Sequence, residues 1–210
     1  MKYKGVIFDL DGVLCFTDEY HYQAWKMLAD RSGIKFDKKD KDKLRGVSRM
    51  EILRIVLGEH AKEYNEEQLV ALATEKNDSY RKLLLQMKPS DVSNDVRTTL
   101  EELKKKGIKL SIGSSSKNTP TIIEKVDIKK YFDTVSDGNN ITHSKPDPEV
   151  FLKAAEFLHL DPKDCLVVED AEAGIDAAVA GGFYSAGIGS ASSYHKATYS
   201  INKLSDILKL

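Results

Sequence analysis

The chain has 210 residues, and its 32 Lys and Arg against 33 Asp and Glu give a formal net charge of −1. Hydrophobic residues make up 41% and charged residues 31%, the balance of an ordinary globular protein. This length can bury one large core, or a core with an inserted domain. The near-neutral charge provides no global field toward nucleic acid or a membrane surface, so we expect neither as a partner.

Cys15 and Cys165 are the only cysteines. They make no CxxC pair and no metal-ligand spacing, so we expect two buried core thiols. The N-terminus passes directly into a short apolar run, without the long hydrophobic region of a signal peptide. No apolar stretch has the length of a membrane span. We therefore expect a cytoplasmic protein, and nothing in the sequence demands an oligomer, so we expect a monomer.

The first predicted element is a buried strand over residues 5–8, which runs into Asp9-Leu10-Asp11-Gly12. Residues 16–87 then carry only helical patterns, over 18–32, 48–57 and 66–85. Ser48 followed by Glu51 resembles a capping box that would begin the second of these helices. A helical block directly after the first strand predicts an inserted all-helical cap domain over residues 16–87.

Strands and helices alternate in the rest of the chain. The predicted strands are 108–112, 165–168 and a run around 186–188, and the predicted helices lie near 94–106, 117–127, 147–159 and 171–181. This alternation is typical of βαβ units in a parallel sheet. We therefore predict an α/β fold, a doubly wound, Rossmann-like core built from residues 1–15 and 88–210.

Polar residues follow the predicted strands, where open parallel sheets bind their ligands. Asp9 and Asp11 are two residues apart on an extended backbone, so both carboxylates can face one site while Leu10 faces the core. Turn-forming or helix-capping acids are the alternative. Gly12 permits the sharp bend that a site at this strand end requires.

Small hydroxyls follow the second strand of the predicted core, at Ser114, Ser115 and Ser116, and Lys117 and Asn118 come next. Such a loop, opening a helix, can form an anion cradle. A serine-rich surface loop is the alternative, and the sequence pattern of this segment alone does not choose between them.

Lys145 precedes Pro146, which can hold it in place as a point charge for a phosphoryl group, although a surface lysine at a helix start fits the local sequence too. Glu169 and Asp170 end a buried strand, and acids there are costly unless they bind something. A helix cap at Asp170 is the alternative. Asp9, Asp170 and the main-chain carbonyl of Asp11 would supply oxygen ligands for Mg²⁺, with Glu169 behind them.

In this order the four clusters resemble the motifs of the haloacid dehalogenase superfamily of phosphotransferases: the DLDGV run, the serine, the lysine before proline and the ED pair. The resemblance implies that Asp9 attacks phosphorus to form an aspartyl-phosphate. It implies that Asp11 serves as acid and base, while Mg²⁺, Lys145 and Ser114 offset phosphoryl charge. Because both acids of the first motif are present, phosphate esters are the expected substrates.

Residues 16–87 are similar to the cap of the β-phosphoglucomutase family within that superfamily. The matching runs are Glu19-Tyr20-His21 with Ala24-Trp25-Lys26, Gly46-Val47-Ser48-Arg49, and Lys76-Asn77-Asp78 with Tyr80. The resemblance implies a small phosphorylated sugar as partner and β-glucose 1,6-bisphosphate as the phosphorylating intermediate, so that β-glucose 1-phosphate and glucose 6-phosphate interconvert.

Such a mutase must hold a second phosphate, and the resemblance assigns it to Arg49 with Ser116, Lys117 and Asn118. For three further cap residues, the sequence permits either a role in the active site or a position outside it. His21 would orient Asp11 or be structural, Trp25 would be core or contact the sugar, and Lys76 would contact the substrate or be solvated.

Two other functions remain open. A sugar-phosphate phosphatase would form the same intermediate and pass it to water, so exclusion of water separates the two enzymes. A phospho-acceptor signalling module also uses an Asp, a metal, a Ser or Thr and a Lys at strand ends. In such modules the phosphorylated Asp follows a later strand and no helical cap is inserted, which disfavours this reading.

Overall fold

A computed structural model of the chain describes residues 2–38 and 49–210. The chain divides into two units, which we call the sheet unit (Met1–Phe16 with Met87–Leu210) and the helical unit (Thr17–Gln86). Among the described residues, none of the helices combines the length and apolarity that a bilayer span requires.

In the part of the sheet unit that is described, six parallel strands pair in the order β3-β2-β1-β4-β5-β6. The strands are β1 (Gly5–Phe8), β2 (Lys109–Gly113), β3 (Thr134–Ser136), β4 (Cys165–Glu169), β5 (Tyr184–Gly187) and β6 (Tyr199–Ser200). From the central β1–β4 pair, β2 and β3 follow in turn on one side and β5 and β6 on the other. Ligands of such sheets bind beyond the strand ends at this switch point. The predicted parallel α/β core is confirmed.

Both faces of the central strands are covered. Ile7 of β1 and Val167 of β4 pack with Phe151 and Ala177 in one buried cluster. Side chains alternate along a strand, so Val6 points to the opposite face, and it too is fully buried. A parallel sheet buried on both sides reads as continuous apolar runs, which is why β1 and β4 could be predicted.

The described residues of the sheet unit form four α-helices: α4 (Asn94–Lys105), α5 (Thr119–Lys125), α6 (Glu149–Leu158) and α7 (Glu172–Ala180). Each lies within a helical pattern predicted from the sequence. The short strands β3 and β6 were not predicted. β3 has three residues and β6 has two, too few for an alternating apolar pattern to be recognised.

The described part of the helical unit contains no strand and three α-helices, α1 (Asp18–Arg31), α2 (Arg49–Leu57) and α3 (Glu66–Leu84). Trp25, Leu53 and Leu69, one from each helix, share a buried cluster. Asn65 caps α3 through a reciprocal capping box with Gln68. The capping box predicted at Ser48 lies outside the described residues.

Candidate active site at the strand ends

Residues after three neighbouring strands of the sheet unit meet at one edge. Asp9 directly follows β1, Ser114 follows β2, and Glu169 is the last residue of β4. The main-chain N–H of Asp9 donates to the Val168 carbonyl at 2.9 Å, so the hydrogen bonding between β1 and β4 extends one residue past β1, to the residue that carries the carboxylate. The parallel register therefore places these side chains at the sheet edge where the strand order reverses.

Lys145 joins two of the strand ends. Its Nζ lies 2.5 Å from Asp9 Oδ1 and 2.6 Å from Glu169 Oε1. The three side chains are 11%, 11% and 2% exposed in the order Lys145, Asp9 and Glu169. An ammonium between two carboxylates with so little solvent contact is a built charge cluster, which we call the strand-end cluster.

The loop that carries Lys145 is closed by its own hydrogen bonds. Glu149 Oε2, in the first turn of α6, accepts the main-chain N–H groups of Thr142 and His143 at 2.9 and 2.7 Å. The Lys145–Pro146 peptide is cis. The Asp147 N–H donates to the Ser144 carbonyl at 3.1 Å across Lys145, so the chain on both sides of Lys145 is held by hydrogen bonds.

Burial and charge set the protonation of the strand-end cluster. Burial raises the pKa of Asp9 above its ordinary range, although the Lys145 ammonium opposes the rise, and the Glu169 charge adds to it. Burial alone would lower the pKa of Lys145, but the two carboxylates raise it instead. A single ammonium thus faces two carboxylates, and full ionisation of Asp9 requires more positive charge nearby.

Asp170 adds a third carboxylate at the same edge, and its charge contributes to the raised pKa of Asp9. A Cβ at Gly12 would overlap the Asp170 carboxylate, so that carboxylate lies against the turn after Asp9. Gly12 has φ +90°, which other residues rarely adopt. The Asp9 and Asp170 carboxylates and the Asp11 carbonyl are hard oxygen donors in an electron-rich cluster, and this donor set fits Mg²⁺.

Glu169 is oriented differently from these donors. Its Oε1 accepts from Lys145, and its Oε2 accepts the Ala171 N–H at 2.8 Å. Both oxygens are therefore engaged by the protein, as expected for a residue that supports the site from behind. Asp11 is half-buried in the turn after β1, which the Gly12 N–H closes by donating to the Cys15 carbonyl at 2.7 Å.

The five residues 114–118, which we call the cradle loop, bond to one another. The Ser116 N–H donates to Ser114 Oγ and the Asn118 N–H donates to Ser116 Oγ, both at 3.2 Å. Ser114 and Asn118 are buried, Ser115 and Ser116 are half-buried, and Lys117 is exposed. The hydroxyls of Ser114 and Ser116 accept main-chain N–H groups, so each still has a hydrogen that it can donate to an anion.

The helical unit holds the remaining predicted residues. Lys76 Nζ lies 2.9 Å from His21 Nδ1 and over the rings of Trp25 and Tyr80, 4.6 and 4.9 Å from their centroids. The His21 ring stacks on Tyr80 at 3.9 Å. We call these four side chains the cap cluster. Arg49 is exposed at the start of α2, and Gly46 lies outside the described residues.

The cap cluster shifts the protonation of both of its basic groups. Burial, and then the charges of Lys76 and Arg49, hold the pKa of His21 well below its usual range. Burial, and then the Arg49 charge, lower the pKa of Lys76 to about 7. Lys76 is only 3% exposed, so it is not the solvated lysine that was one reading of the sequence. Trp25 is 2% exposed and belongs to the helical core.

Sequence reasoning missed the loop after β3, residues 137–140. Asn139 Nδ2 donates to the Lys117 carbonyl at 3.1 Å, so this loop supports the cradle loop. Its signal in the sequence is the Asp137-Gly138 pair, which marks a turn after a short β-branched run. Without a recognised strand before it, that turn has no assigned place at the sheet edge.

Comparison with known proteins gives consistent matches. The haloacid dehalogenase-like hydrolase family matches residues 3–182. A β-phosphoglucomutase of Bacillus subtilis is 37% identical over 206 residues, which is 97% of this chain and 91% of the relative. A fructose-1-phosphate phosphatase of Escherichia coli is 30% identical over 184 residues, 86% of this chain and 94% of the relative.

Solved structures agree with the sequence matches. The crystal structure of a β-phosphoglucomutase from Clostridium difficile superimposes with a TM-score of 0.86 at 36% sequence identity. The similarity covers 98% of this chain and 93% of that one. The match therefore includes both the sheet unit and the helical unit rather than the sheet alone.

Proposed function

We propose, from the premise that this chain belongs to the haloacid dehalogenase-like hydrolases, that it transfers a phosphoryl group of a small phosphorylated sugar through Asp9. The carrying observation is the strand-end cluster, in which the Lys145 ammonium bridges the carboxylates of Asp9 and Glu169 in a buried setting. A nucleophile held beside a fixed cation suits attack on an anionic phosphate.

The proposed step begins with an Asp9 oxygen attacking phosphorus. A bond forms between that oxygen and phosphorus, the bond from phosphorus to the ester oxygen breaks, and the electron pair leaves on that oxygen. Asp11 supplies the proton to the leaving oxygen and takes a proton from the next attacking hydroxyl. That hydroxyl oxygen then bonds to phosphorus, the bond between phosphorus and the Asp9 oxygen breaks, and the electron pair returns to the Asp9 carboxylate. The Lys145 ammonium and the Ser114 hydroxyl offset negative charge on the phosphoryl oxygens.

Mg²⁺ is the metal that the donor set fits, and Asp9, Asp170 and the Asp11 carbonyl would hold it. When bound, it supplies positive charge that stabilises the ionised Asp9 and the phosphoryl oxygens. Glu169 would keep Lys145 in place through the 2.6 Å bond between Nζ and Oε1.

We infer a mutase rather than a phosphatase as the finer function, interconverting β-glucose 1-phosphate and glucose 6-phosphate with β-glucose 1,6-bisphosphate as the phosphorylating intermediate. The similarity to β-phosphoglucomutases over nearly the whole chain supports this choice. So does the cradle loop, which offers Ser116, Lys117 and Asn118 for a second phosphate, with Arg49 as the further residue that the sequence predicts for it. A sugar-phosphate phosphatase is the second candidate, supported by the similarity to the fructose-1-phosphate phosphatase.

The deciding experiment incubates the purified protein with β-glucose 1-phosphate, Mg²⁺ and a trace of β-glucose 1,6-bisphosphate, and follows glucose 6-phosphate and free phosphate together. Stoichiometric glucose 6-phosphate with little free phosphate is the expected result. Free phosphate as the main product would establish the phosphatase. Absence of both products, also with other sugar phosphates, would refute phosphoryl transfer by this chain.

A further inference from the structure

The cradle loop is held from outside by the loop that follows β3. The Ser114 N–H donates to the Ser136 carbonyl at 3.1 Å and the Gly138 N–H donates to the Ser116 carbonyl at 3.2 Å. Asn139 Nδ2 donates to the Lys117 carbonyl at 3.1 Å. The last residue of β3 and two residues of the loop that follows it, residues 137–140, which we call the outer loop, therefore bond to three positions of the cradle loop.

The two loops approach each other as closely as their backbones permit. A Cβ at Gly138 would lie 2.5 Å from the Ser115 carbonyl oxygen and 2.9 Å from the Lys117 nitrogen. Those atoms belong to the main chain, which cannot rotate away as the end of a side chain can. The fit at Gly138 brings Asn139 within bonding distance of Lys117.

The outer loop has its own internal support. The Asn139 N–H donates to Asp137 Oδ1 at 2.8 Å, and Asn140 Oδ1 accepts the Asp137 N–H at 3.2 Å and the Ser136 hydroxyl at 3.1 Å. Asp137 is 4% exposed. The loop is therefore a preformed turn that presents the Asn139 amide, and the Asn140 side chain helps to close that turn.

Holding the carbonyls of Ser116 and Lys117 has a consequence for the amides that follow them. In a trans peptide the C=O and N–H groups point in opposite directions. Bonds from Gly138 and Asn139 to these two carbonyls therefore orient the N–H group of Lys117 and that of Asn118, which donates to Ser116 Oγ inside the cradle loop. These are two of the residues proposed above for the second phosphate.

We propose that Asn139 is a positioning residue of this enzyme, which sets the affinity of the cradle loop for the second phosphate of a phosphorylated sugar. The inference rests on the proposed function. Asn139 bonds to the Lys117 carbonyl, whereas Lys145 bonds to Asp9 and Glu169. Loss of the Asn139 side chain should therefore weaken binding of a substrate that carries its phosphate on the cradle loop, while the chemical step at Asp9 proceeds at its usual rate.

The test compares Asn139→Ala with Asn202→Ala, two exposed asparagines that lose the same side-chain atoms, of which only Asn139 belongs to the outer loop. For each protein, kcat and KM are measured with β-glucose 1-phosphate in the mutase assay, and with p-nitrophenyl phosphate, a single phosphate ester that reports hydrolysis through Asp9. Because one net hydrogen bond is lost, we expect Asn139→Ala to raise KM for β-glucose 1-phosphate about threefold to tenfold. Its kcat and its p-nitrophenyl phosphate kinetics should match the wild type, and its melting temperature should fall by no more than about 4 °C.

The matched control should keep the wild-type KM for both substrates. An unchanged KM in Asn139→Ala, with an active wild type, would overturn the inference and leave the proposed function standing. Equal KM increases in both variants would overturn it as well, since they would show that the effect does not depend on the bond to the Lys117 carbonyl. A parallel loss with p-nitrophenyl phosphate would place the effect at Asp9 and also contradict the inference. A wild type that transfers phosphoryl groups from neither compound would refute the proposed function and the inference with it.

Discussion

Each unit of the protein buries a lysine, and the two lysines have opposite surroundings. Lys145 lies between two carboxylates in the strand-end cluster, at 2.5 and 2.6 Å. Lys76 lies in the cap cluster, beside the neutral ring nitrogen of His21 and over the aromatic rings of Trp25 and Tyr80. The carboxylates raise the pKa of Lys145, whereas burial lowers the pKa of Lys76 to about 7.

The difference shows how partners decide the state of a buried charge. Removing an ammonium from water disfavours its charged form, and only opposite charge nearby reverses this effect. Lys145 lies beside two carboxylates, and their negative charge keeps its ammonium protonated. Because one ammonium cannot neutralise both carboxylates, the strand-end cluster also favours a further cation. Lys76 has the weak attraction of ring faces and the repulsion of Arg49, so near neutral pH it is divided between two protonation states.

The largest expected effect follows from changing the carboxylate that we propose as the nucleophile. Asp9→Asn should lower mutase turnover about ten-thousandfold or more, because an amide cannot form the aspartyl-phosphate. Its free energy of unfolding should be no lower than that of the wild type, since Lys145 keeps Glu169 as a partner. Urea unfolding and glucose 6-phosphate formation measure the two quantities, with Asp37→Asn at an exposed position as control. Substantial turnover by a verified Asp9→Asn protein would contradict the proposed nucleophile.

The second effect concerns the Lys145 side of the comparison. Lys145→Met leaves two carboxylates buried without their cation, and removing one partner of a buried pair costs about 3–5 kcal/mol. We expect a fall of that size in the free energy of unfolding, measured by urea titration near neutral pH. A stability equal to that of the wild type would mean that the carboxylates are compensated without Lys145.

The same substitution at the other lysine should act in the opposite direction. Lys76→Met removes a charge that has no carboxylate beside it in the cap cluster, and replacing buried charge by apolar volume can stabilise by about 1–3 kcal/mol. The folded-state pKa of Lys76 is about 7 against an ordinary 10.5, so the unfolded chain binds more protons between these two pH values. The wild type therefore gains stability over this range, and the advantage of Lys76→Met should shrink as pH rises.

Urea unfolding of both proteins at about pH 6 and about pH 9 measures this change. A constant difference between the two proteins would show that Lys76 keeps its proton throughout. A loss of stability in Lys76→Met at the lower pH would show that the ammonium is better compensated than its surroundings suggest.

The smallest expected effect is the stabilisation of the strand-end cluster by Mg²⁺. An ion that binds only the folded state, present at about three times its dissociation constant, adds about 0.8 kcal/mol to the unfolding free energy, which is less than the change expected for Lys76→Met. We expect Mg²⁺ to raise the melting temperature of the wild type, and EDTA to reverse the rise. The increase should be reduced in Asp170→Asn and retained in Lys76→Met. Equal increases in all three proteins would place the ion away from Asp170.

Much of the fold could be predicted because its main elements carry local patterns. The buried runs of β1 and β4 and the periodic helices α3, α4 and α6 are long enough to be recognised one at a time. The strands β3 and β6 could not be predicted, since two or three residues form a strand only by pairing with a neighbour that is already in place. Because β3 was not recognised, the loop that follows it, which carries Asn139, could not be assigned to the edge of the sheet either.

The candidate site divides along the same line. The sequence by itself determined that Asp9, Ser114, Lys145, Glu169 and Asp170 follow elements of a parallel sheet, and therefore which chemical groups share one edge. Only the tertiary structure decided which of them pair. The Lys145 bonds connect residues 136 and 24 positions apart, and the Lys76 environment joins residues 55 positions apart. Burial and neighbouring charge depend on such long-range approaches, whereas a local pattern reports only the backbone and the face to which a side chain belongs.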